Sequence, residues 1–168
     1  LVPKLTQRFE KKQIVLGCAA FQILINAVYM LLGYSNIGVV IAVSLLSTLP
    51  STIRGTLYWS MVADTVDYLE WKTGERNDGM IYAIEGFLAK VVGSIGAVST
   101  AVIIKVIAFV PNAPTQSDYT LKGLFYLPLA ITIVSTVLAV IPYFFYDYSR
   151  SKQEEVAEML LAKKEGRV

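Results

Sequence analysis

The organisation of the chain follows from residues 59–76, which read WSMVADTVDYLEWKTGER. This segment begins in an apolar stretch and ends in a charged one. It carries three carboxylates, Asp64, Asp67 and Glu70, each three residues after the last. On a helix this spacing keeps successive carboxylates on neighbouring positions of one face. We therefore expect a long apolar helix with acidic groups at its polar end, followed by a turn back into a further apolar helix.

Composition places the chain in the helical membrane class. Of 168 residues, 55% are hydrophobic and 17% are charged, and the mean hydropathy of +0.55 is high for a soluble domain. Residues 14–53 and 123–146 contain no charged side chain. A bilayer core needs about 20 helical residues, so the first of these runs is long enough to cross twice. A soluble core is the poorer alternative.

The sequence predicts an all-α membrane protein with four transmembrane helices. Their predicted bounds are about 14–32, 37–71, 80–109 and 121–146, within a membrane region of 14–146. Residues 1–13 are predicted as a cytoplasmic basic loop and residues 147–168 as a cytoplasmic tail. Part of the tail has the spacing of a short amphipathic helix, which we expect on the membrane surface.

Lysine and arginine concentrate on one side of these four spans, whereas the other side has only Lys122. The basic residues on the first side are Lys4, Arg8, Lys11, Lys12, Lys72, Arg76, Arg150, Lys152, Lys163, Lys164 and Arg167. The positive-inside rule therefore predicts a multi-pass protein of the cell (inner) membrane with both ends in the cytoplasm.

Lys90 lies well inside the third predicted span, roughly 15 Å along the helix. It shares one helical face with small residues, which allow another helix to approach closely. These are Ala83, Gly86, Gly93, Ala97 and Thr100. A lysine that faces inward within the membrane is a functional candidate, and the alternative is a structural ion pair with an unseen acid.

Glu85 lies on the same span, but five residues rotate it by about 140° from Lys90, so the two are poor partners. A neighbouring helix or cytoplasmic water must satisfy it. We regard Glu85 as a further candidate for the substrate and cation pathway.

The second span carries many hydroxyls together with Arg54 and Trp59. The hydroxyls are Ser44, Ser47, Thr48, Ser51, Thr52, Thr56 and Ser60. They could hydrogen-bond a polyhydroxylated ligand, while the Trp59 indole could stack on a sugar ring. The alternative is that they bond to their own backbone. Because the Arg54 guanidinium stays charged, it must face a cavity or an acid, and one hypothesis is that it binds a substrate carboxylate.

Asp64, Asp67 and Glu70 lie at the predicted cytoplasmic end of the second span. Taken alone, they are a solvated helix end. Lys11, Lys12 and Arg76 are on the same side and could pair with them, and such pairs could open and close between the halves of a transporter.

Several functional classes are not supported, because the sequence lacks the residue types that they require. The sequence has no histidine and a single cysteine, Cys18, so no disulfide framework is implied. Without a metal-ligand cluster or a nucleophile constellation, we expect no bound metal or cofactor and no enzyme activity. Nucleic-acid binding has no support, because the basic residues follow the membrane topology.

Residues 61–90, MVADTVDYLEWKTGERNDGMIYAIEGFLAK, resemble the signature of the glycoside–pentoside–hexuronide:cation symporters, the melibiose permease group of the major facilitator fold. Residues 3–13, PKLTQRFEKKQ, resemble the basic loop before the ninth helix of that family, and the tail resembles its cytoplasmic end. By this resemblance the four spans are helices nine to twelve of twelve. The chain begins with Leu1 instead of methionine, and we expect a C-terminal fragment of a longer protein.

The resemblance implies the C-terminal part of a sugar:cation symporter that works by alternating access. The implied partners are a sugar or sugar acid, the bilayer, the missing N-terminal helices and a coupling cation, Na⁺ or H⁺ with Li⁺ possible. The acids that bind this cation belong to the family's first half. The alternative is a self-standing four-span scaffold or assembly subunit without transport activity.

The resemblance also implies roles for individual residues. Asp64, Asp67 and Arg76 match charged positions of the family's cytoplasmic gate, to which we add Glu70. Lys90 matches the lysine of the eleventh helix, near the sugar and cation sites. Trp59 lies in the region that approaches the sugar.

Overall fold

The computed structural model describes residues 2–165, and of Lys164 it describes the backbone alone. All regular elements in this range are α-helices. In chain order they are α1 (Val2–Arg8), α2 (Lys11–Leu32), α3 (Ile37–Thr73), α4 (Asp78–Val106), α5 (Asp118–Phe144) and α6 (Arg150–Lys164). The predicted tail extends to residue 168, so Arg167 lies outside the described residues, as does Leu1 at the other end.

Four of these helices, α2 to α5, are long and apolar enough to cross a membrane. The predicted all-α fold with four transmembrane helices is thereby confirmed. α3 has 37 residues. At 1.5 Å per residue it measures about 55 Å, whereas the hydrocarbon core of a bilayer measures about 30 Å. The helix is therefore long enough to extend beyond the lipid.

Local capping fixes where α2 and α5 begin. α2 begins at residue 11 and not at 14, because the side-chain oxygen of Gln13 accepts the backbone N–H of Glu10 at 3.2 Å. α5 begins at residue 118 and not at 121, because the Ser117 hydroxyl accepts the backbone N–H of Thr120 at 3.1 Å. It ends at residue 144 instead of 146.

The helices on either side of the charged loop also differ from their predicted bounds. α3 continues to residue 73 and not 71, where Gly74 ends it in the left-handed region with a φ of 79°. α4 begins at residue 78 and not 80, with the Asp78 carboxylate in its first turn, where the helix dipole favours a negative charge. It ends at residue 106 and not 109, because Ala108 takes a φ of 52°.

Two of the predicted flanking segments contain additional helices. Residues 1–13 are not only a loop, since α1 and the first residues of α2 lie within them. The amphipathic helix of the tail is present as α6, but its apolar face packs against α3 instead of facing lipid. Val156 and Leu160 are buried there, with 1% and 8% of their surface exposed. Because α3 is longer than the membrane requires, its last turns provide the surface against which α6 packs.

α2 lies between α3 and α5 and packs against both. The core of this contact is formed by Ile14 and Val15 of α2 with Leu57 and Met61 of α3, and Tyr143 near the end of α5 packs on it. These residues lie toward the end of the bundle at which α2 and α4 begin and α3 and α5 finish. We call this the charged end.

α4 is the most open of the long helices. It contains no buried residue, and residues 87–102 are all exposed. Just beyond its last turn, Ile107 is 1% exposed, lies close to Gly123 and accepts a hydrogen bond from the Thr120 hydroxyl at 2.8 Å. This hairpin joins α4 to α5 at the end opposite the charged end.

Candidate functional site

A cavity of about 310 Å³ lies between α2, α3 and α5, close to the charged end. It is lined by Val15, Ser51, Arg54, Gly55, Tyr58, Trp59, Ala139, Val140 and Tyr143. Val15 is four residues after the start of α2, so the cavity lies about one helical turn inside that end. Its lining combines a guanidinium, two phenols, an indole and a hydroxyl with apolar side chains, which is a mixture typical of sites for small polar ligands.

Arg54 contributes the only charge to this lining. Its Nε is buried and has no hydrogen-bond partner among the described residues. No described carboxylate lies within ion-pairing distance of it. The sequence required Arg54 to meet either an acid or a cavity, and in residues 2–165 it meets a cavity.

Tyr58 and Trp59 form the aromatic part of the cavity. Their rings meet edge to face, with centroids 5.5 Å apart and an interplanar angle of 72°. The Tyr58 hydroxyl donates to the Glu85 carboxylate on α4 at 3.3 Å. The neighbouring helix that Glu85 requires is therefore α3, and this hydrogen bond connects α4 to the wall of the cavity.

Most of the hydroxyls on α3 are engaged with their own helix. Side chains of five of them donate to backbone carbonyls three or four residues earlier: Ser44, Thr48, Ser51, Thr52 and Thr56. These five hydroxyls therefore bond to their own backbone, which is the alternative to ligand binding that the sequence left open. Of the five, only Ser51 also lines the cavity.

Lys90 lies on the open part of α4 and is exposed. In the described part of the chain no carboxylate or other side chain pairs with its ammonium group. The predicted small-residue face around it is likewise open. The structure therefore does not bring Lys90 together with Arg54, Trp59 or Glu85.

The charged end contains the predicted carboxylates, and the first of them pairs across helices. Lys11 Nζ lies 2.5 Å from Asp64 Oδ2, and each side chain is only 18% exposed. This ion pair joins the start of α2 to the second half of α3. Partial burial protects it from the screening that weakens surface pairs.

Arg76 organises the loop between α3 and α4. Its guanidinium lies 2.8 Å from Glu70 and 3.4 Å from Asp67 on α3, and 2.9 Å from Asp78 at the start of α4. The hydrogen bonds that it donates to the carboxylates of Asp78 and Glu70 raise its pKa above the ordinary value for arginine. Arg76 therefore stays charged and links the acidic end of α3 to the first turn of α4.

Two tyrosines beside Asp64 stay uncharged at physiological pH. Burial, with a contribution from the Asp64 charge, raises the pKa of Tyr146 to about 12. Burial also raises the pKa of Tyr148, followed by the charges of Asp64 and Asp67. The negative charge at this end accordingly resides on the carboxylates.

Lys12 has a role that the sequence interpretation missed. It was predicted as a partner for the carboxylates, but its Nζ donates to the backbone carbonyls of Phe144 at 3.0 Å and Tyr146 at 3.1 Å. A cation suits the end of α5, because the last carbonyls of a helix lack intrahelical partners. Lys11 and Lys12 thus fasten α2 to two different helices. The only signal in the sequence is a pair of basic residues before an apolar run.

The terminal helices close the charged end. Arg150 of α6 donates to the backbone carbonyls of Thr6 and Gln7 at 3.2 and 3.3 Å. The Trp71 indole donates to the Met159 sulfur at 3.1 Å, which joins the end of α3 to α6. Contacts between residues so far apart in the chain could not be read from the sequence.

Four helices that are long and apolar enough to cross a membrane indicate a multi-pass membrane protein. Residues 1–150 match the family of MFS/sugar transport proteins, where MFS is the major facilitator superfamily. The chain belongs to this family, and the predicted resemblance is thereby confirmed. Three of its relatives carry the names of transporters and not of enzymes.

Three relatives illustrate the match. An Escherichia coli (strain K12) protein provisionally named a sulfoquinovose importer is 32% identical over 171 residues, which is 98% of this chain and 35% of that protein. A second protein of that strain, provisionally named a 2,3-dihydroxypropane-1-sulfonate exporter, is 30% identical over 168 residues, with coverages of 98% and 35%. YnaJ, an uncharacterized symporter of Bacillus subtilis (strain 168), is 26% identical over 159 residues, with coverages of 95% and 34%. The chain thus spans about one third of the length of these relatives.

Proposed function

We propose that these four helices are helices nine to twelve of a sugar:cation symporter that works by alternating access. The observation that carries this proposal is the match to the sugar-transport family over residues 1–150. The cavity beside Arg54 and the ion pairs at the charged end support it, since a transporter needs a solute site and contacts that open and close. The partners are the sugar, the coupling cation, the bilayer and the N-terminal helices of the same protein.

In this proposal the charged end faces the cytoplasm of a cell with the protein in its inner membrane. The distribution of lysine and arginine supports that orientation. The pairs of Lys11 with Asp64, and of Arg76 with Asp67 and Glu70, then form part of a cytoplasmic gate. They hold the gate closed when intact and separate when the site opens to the cytoplasm.

The substrate pathway comprises Arg54, Trp59, Glu85 and Lys90. Arg54 and Trp59 line the cavity, and Glu85 reaches it through Tyr58. Lys90 faces away from the described helices, and its face would meet helices from the rest of the protein. Lysine within a membrane helix is costly unless a partner, a solute or water accommodates it.

The coupling cation is Na⁺ or H⁺, and Li⁺ is a further candidate. The name of YnaJ as a symporter supports coupled transport. Two relatives carry provisional names for the import or export of sulfonates, which supports sugar acids beside neutral sugars as candidate substrates.

Replacing Lys90 tests the proposed pathway. In the full-length protein, Lys90→Ala should lower cation-driven sugar accumulation in membrane vesicles by about tenfold or more. A tenfold slower transport step corresponds to an activation barrier that is higher by roughly 1.4 kcal/mol. The expected reason is loss of the cation in the middle of the open face of α4. Lys105→Ala is the matched control, because Lys105 is an exposed lysine in the last turn of the same helix.

The control should accumulate sugar normally, and both variants should reach the membrane in equal amounts. Normal accumulation by Lys90→Ala at normal abundance would remove Lys90 from the mechanism.

A further inference from the structure

Arg54 is a charge without a counter-charge in the described chain. The carboxylates nearest to it along the helices are already engaged, since Asp64 pairs with Lys11 and Glu85 accepts the Tyr58 hydroxyl. Asp64 also lies ten residues further along α3, about 15 Å away at 1.5 Å per residue. The anion that balances Arg54 must therefore come from elsewhere.

The guanidinium is also placed where a solute could reach it. Its Nε is buried and unpaired, and the group lines the cavity of about 310 Å³ described above. A buried donor on a charged group is costly to leave unsatisfied, so the cavity favours an occupant that accepts hydrogen bonds. Cavities that hold small ligands begin at about 300 Å³.

The chemistry of the lining indicates the kind of occupant. A guanidinium offers a planar fork of donors that fits the two oxygens of a carboxylate, and an oxyacid such as a sulfonate presents the same paired oxygens. Trp59 is 53% exposed and lines the same cavity as Arg54. An indole face suits the apolar face of a sugar ring. The two groups together fit a sugar that carries an acid.

We propose that Arg54 binds the acid group of an anionic sugar, a carboxylate or a sulfonate, with Trp59 beside the ring. This inference rests on the proposed function, because it names the substrate class of the same site. Because Arg54 comes ten residues before Asp64 on α3, the bound acid lies about 15 Å along the helix from the ion pair of Lys11 and Asp64, on its membrane side. Closing that pair would separate the bound anion from the water at the charged end.

The test compares three probes that share one ring. The full-length protein is reconstituted in liposomes, and uptake is measured for glucose, glucuronate and 6-deoxy-6-sulfoglucose. The wild-type protein should take up at least one of the two anionic probes with a KM about tenfold or more below that for glucose, as expected for a charge-assisted pair. The difference between the two anions distinguishes carboxylate from sulfonate recognition.

Two variants then assign the preference to Arg54. Arg54→Gln should remove the preference for the anionic probe, so that its KM for that probe lies within about twofold of its own KM for glucose. Arg54→Lys preserves the charge but not the fork, so it should retain the preference at a higher KM, and it remains informative if Arg54→Gln fails to reach the membrane. Lys105→Gln removes an exposed charge in the last turn of α4 and should not change the KM for any of the three probes.

The outcomes separate this inference from the proposed function. If the wild-type KM for glucose is no higher than its KM for the anionic probes, the proposed role of Arg54 is wrong while sugar transport stands. The same conclusion follows if Arg54→Gln keeps the preference for the anionic probe. The same holds if Arg54→Gln lowers the uptake of all three probes equally. If wild type transports none of the three, both the substrate class and the proposed transport of such sugars are contradicted.

Discussion

Four cationic residues of the described chain form two groups according to their partners. Lys11 and Arg76, at the charged end, are paired with carboxylates of α3. Arg54 and Lys90, within the membrane-length helices, pair with no described carboxylate. Because an unpaired charge within a membrane helix is costly, we propose that the second group binds other molecules or helices.

Gly123 provides a residue-scale test of the hairpin between α4 and α5. A Cβ at this position would clash with Ile107 Cγ2 and lie 3.0 Å from Ile107 Cβ. Gly123→Ala should therefore force the buried Ile107 to move and lower the free energy of unfolding by about 1–3 kcal/mol. Thermal unfolding of the purified full-length protein in detergent measures the change.

Gly17→Ala is the matched control for that substitution. Gly17 lies in α2, and a Cβ there would meet nothing within 4 Å. Alanine should be neutral or stabilising by about 0.5–1 kcal/mol, because it restricts the unfolded chain. Equal melting temperatures for Gly123→Ala and wild type would show that the hairpin does not depend on this close approach.

The sequence predicted charged partners better than hydrogen bonds to the backbone. Arg76 follows Asp67 and Glu70 closely in the chain, so their proximity could be expected from a helix and a turn. Lys12 was assigned to the carboxylates by the same reasoning, yet it bonds to carbonyls at the end of α5. Every helix end offers such carbonyls, and only the packing of α2 on α5 selects which of them Lys12 meets.

At the scale of helices, α3 connects the cavity to the charged end. It carries Arg54, Tyr58 and Trp59 in the cavity wall and Asp64 in the ion pair with α2. A continuous helix transmits displacement along its axis, since each turn is hydrogen-bonded to the next. In the proposed mechanism, opening the ion pair and changing the cavity would therefore be motions of one helix.

Reversing the charges of Lys11 and Asp64 tests this element-scale link. Lys11→Asp and Asp64→Lys should each slow sugar uptake by about fivefold or more, because like charges then face each other between α2 and α3. The double variant should recover most of the loss, with a coupling energy of about 1 kcal/mol or more. Initial uptake rates at equal abundance measure these effects.

The exposed pair of Lys122 with Asp118 is the matched control, since it lies within one helix at the opposite end and its side chains are 60% and 74% exposed. Exchanging those charges should leave uptake unchanged. If reversing Lys11 and Asp64 singly has no more effect than this exchange, the ion pair does not contribute to gating.

The number and type of the helices could be predicted from the lengths of the runs without charged residues, whereas the residues at which helices begin and end could not. The runs at 14–53 and 123–146 require membrane helices whatever the flanking residues are. The ends depend on single events, such as the φ of 52° at Ala108 that stops α4. The position of α6 also escaped prediction, because an apolar face has the same pattern whether it meets lipid or α3.

At the scale of the whole molecule, the described helices form an incomplete bundle. α2 packs between α3 and α5, while α4 presents an open face around Lys90. Relatives about three times as long have further chain that could cover such a face. Unpaired Lys90, the open small-residue face and the cavity at Arg54 are together what one third of a transporter would present to its remaining helices and solute.

The most direct test of the account is gradient-driven uptake by the full-length protein in membrane vesicles. Imposing an inward Na⁺ or H⁺ gradient should drive a radiolabelled sugar or sugar acid above its external concentration, and an ionophore that collapses the gradient should abolish that accumulation. Exchange of labelled for unlabelled sugar should continue after the collapse, because the sugar site itself remains. Accumulation that is unaffected by the ionophore, or vesicles that neither accumulate nor exchange any sugar, would contradict cation-coupled sugar transport.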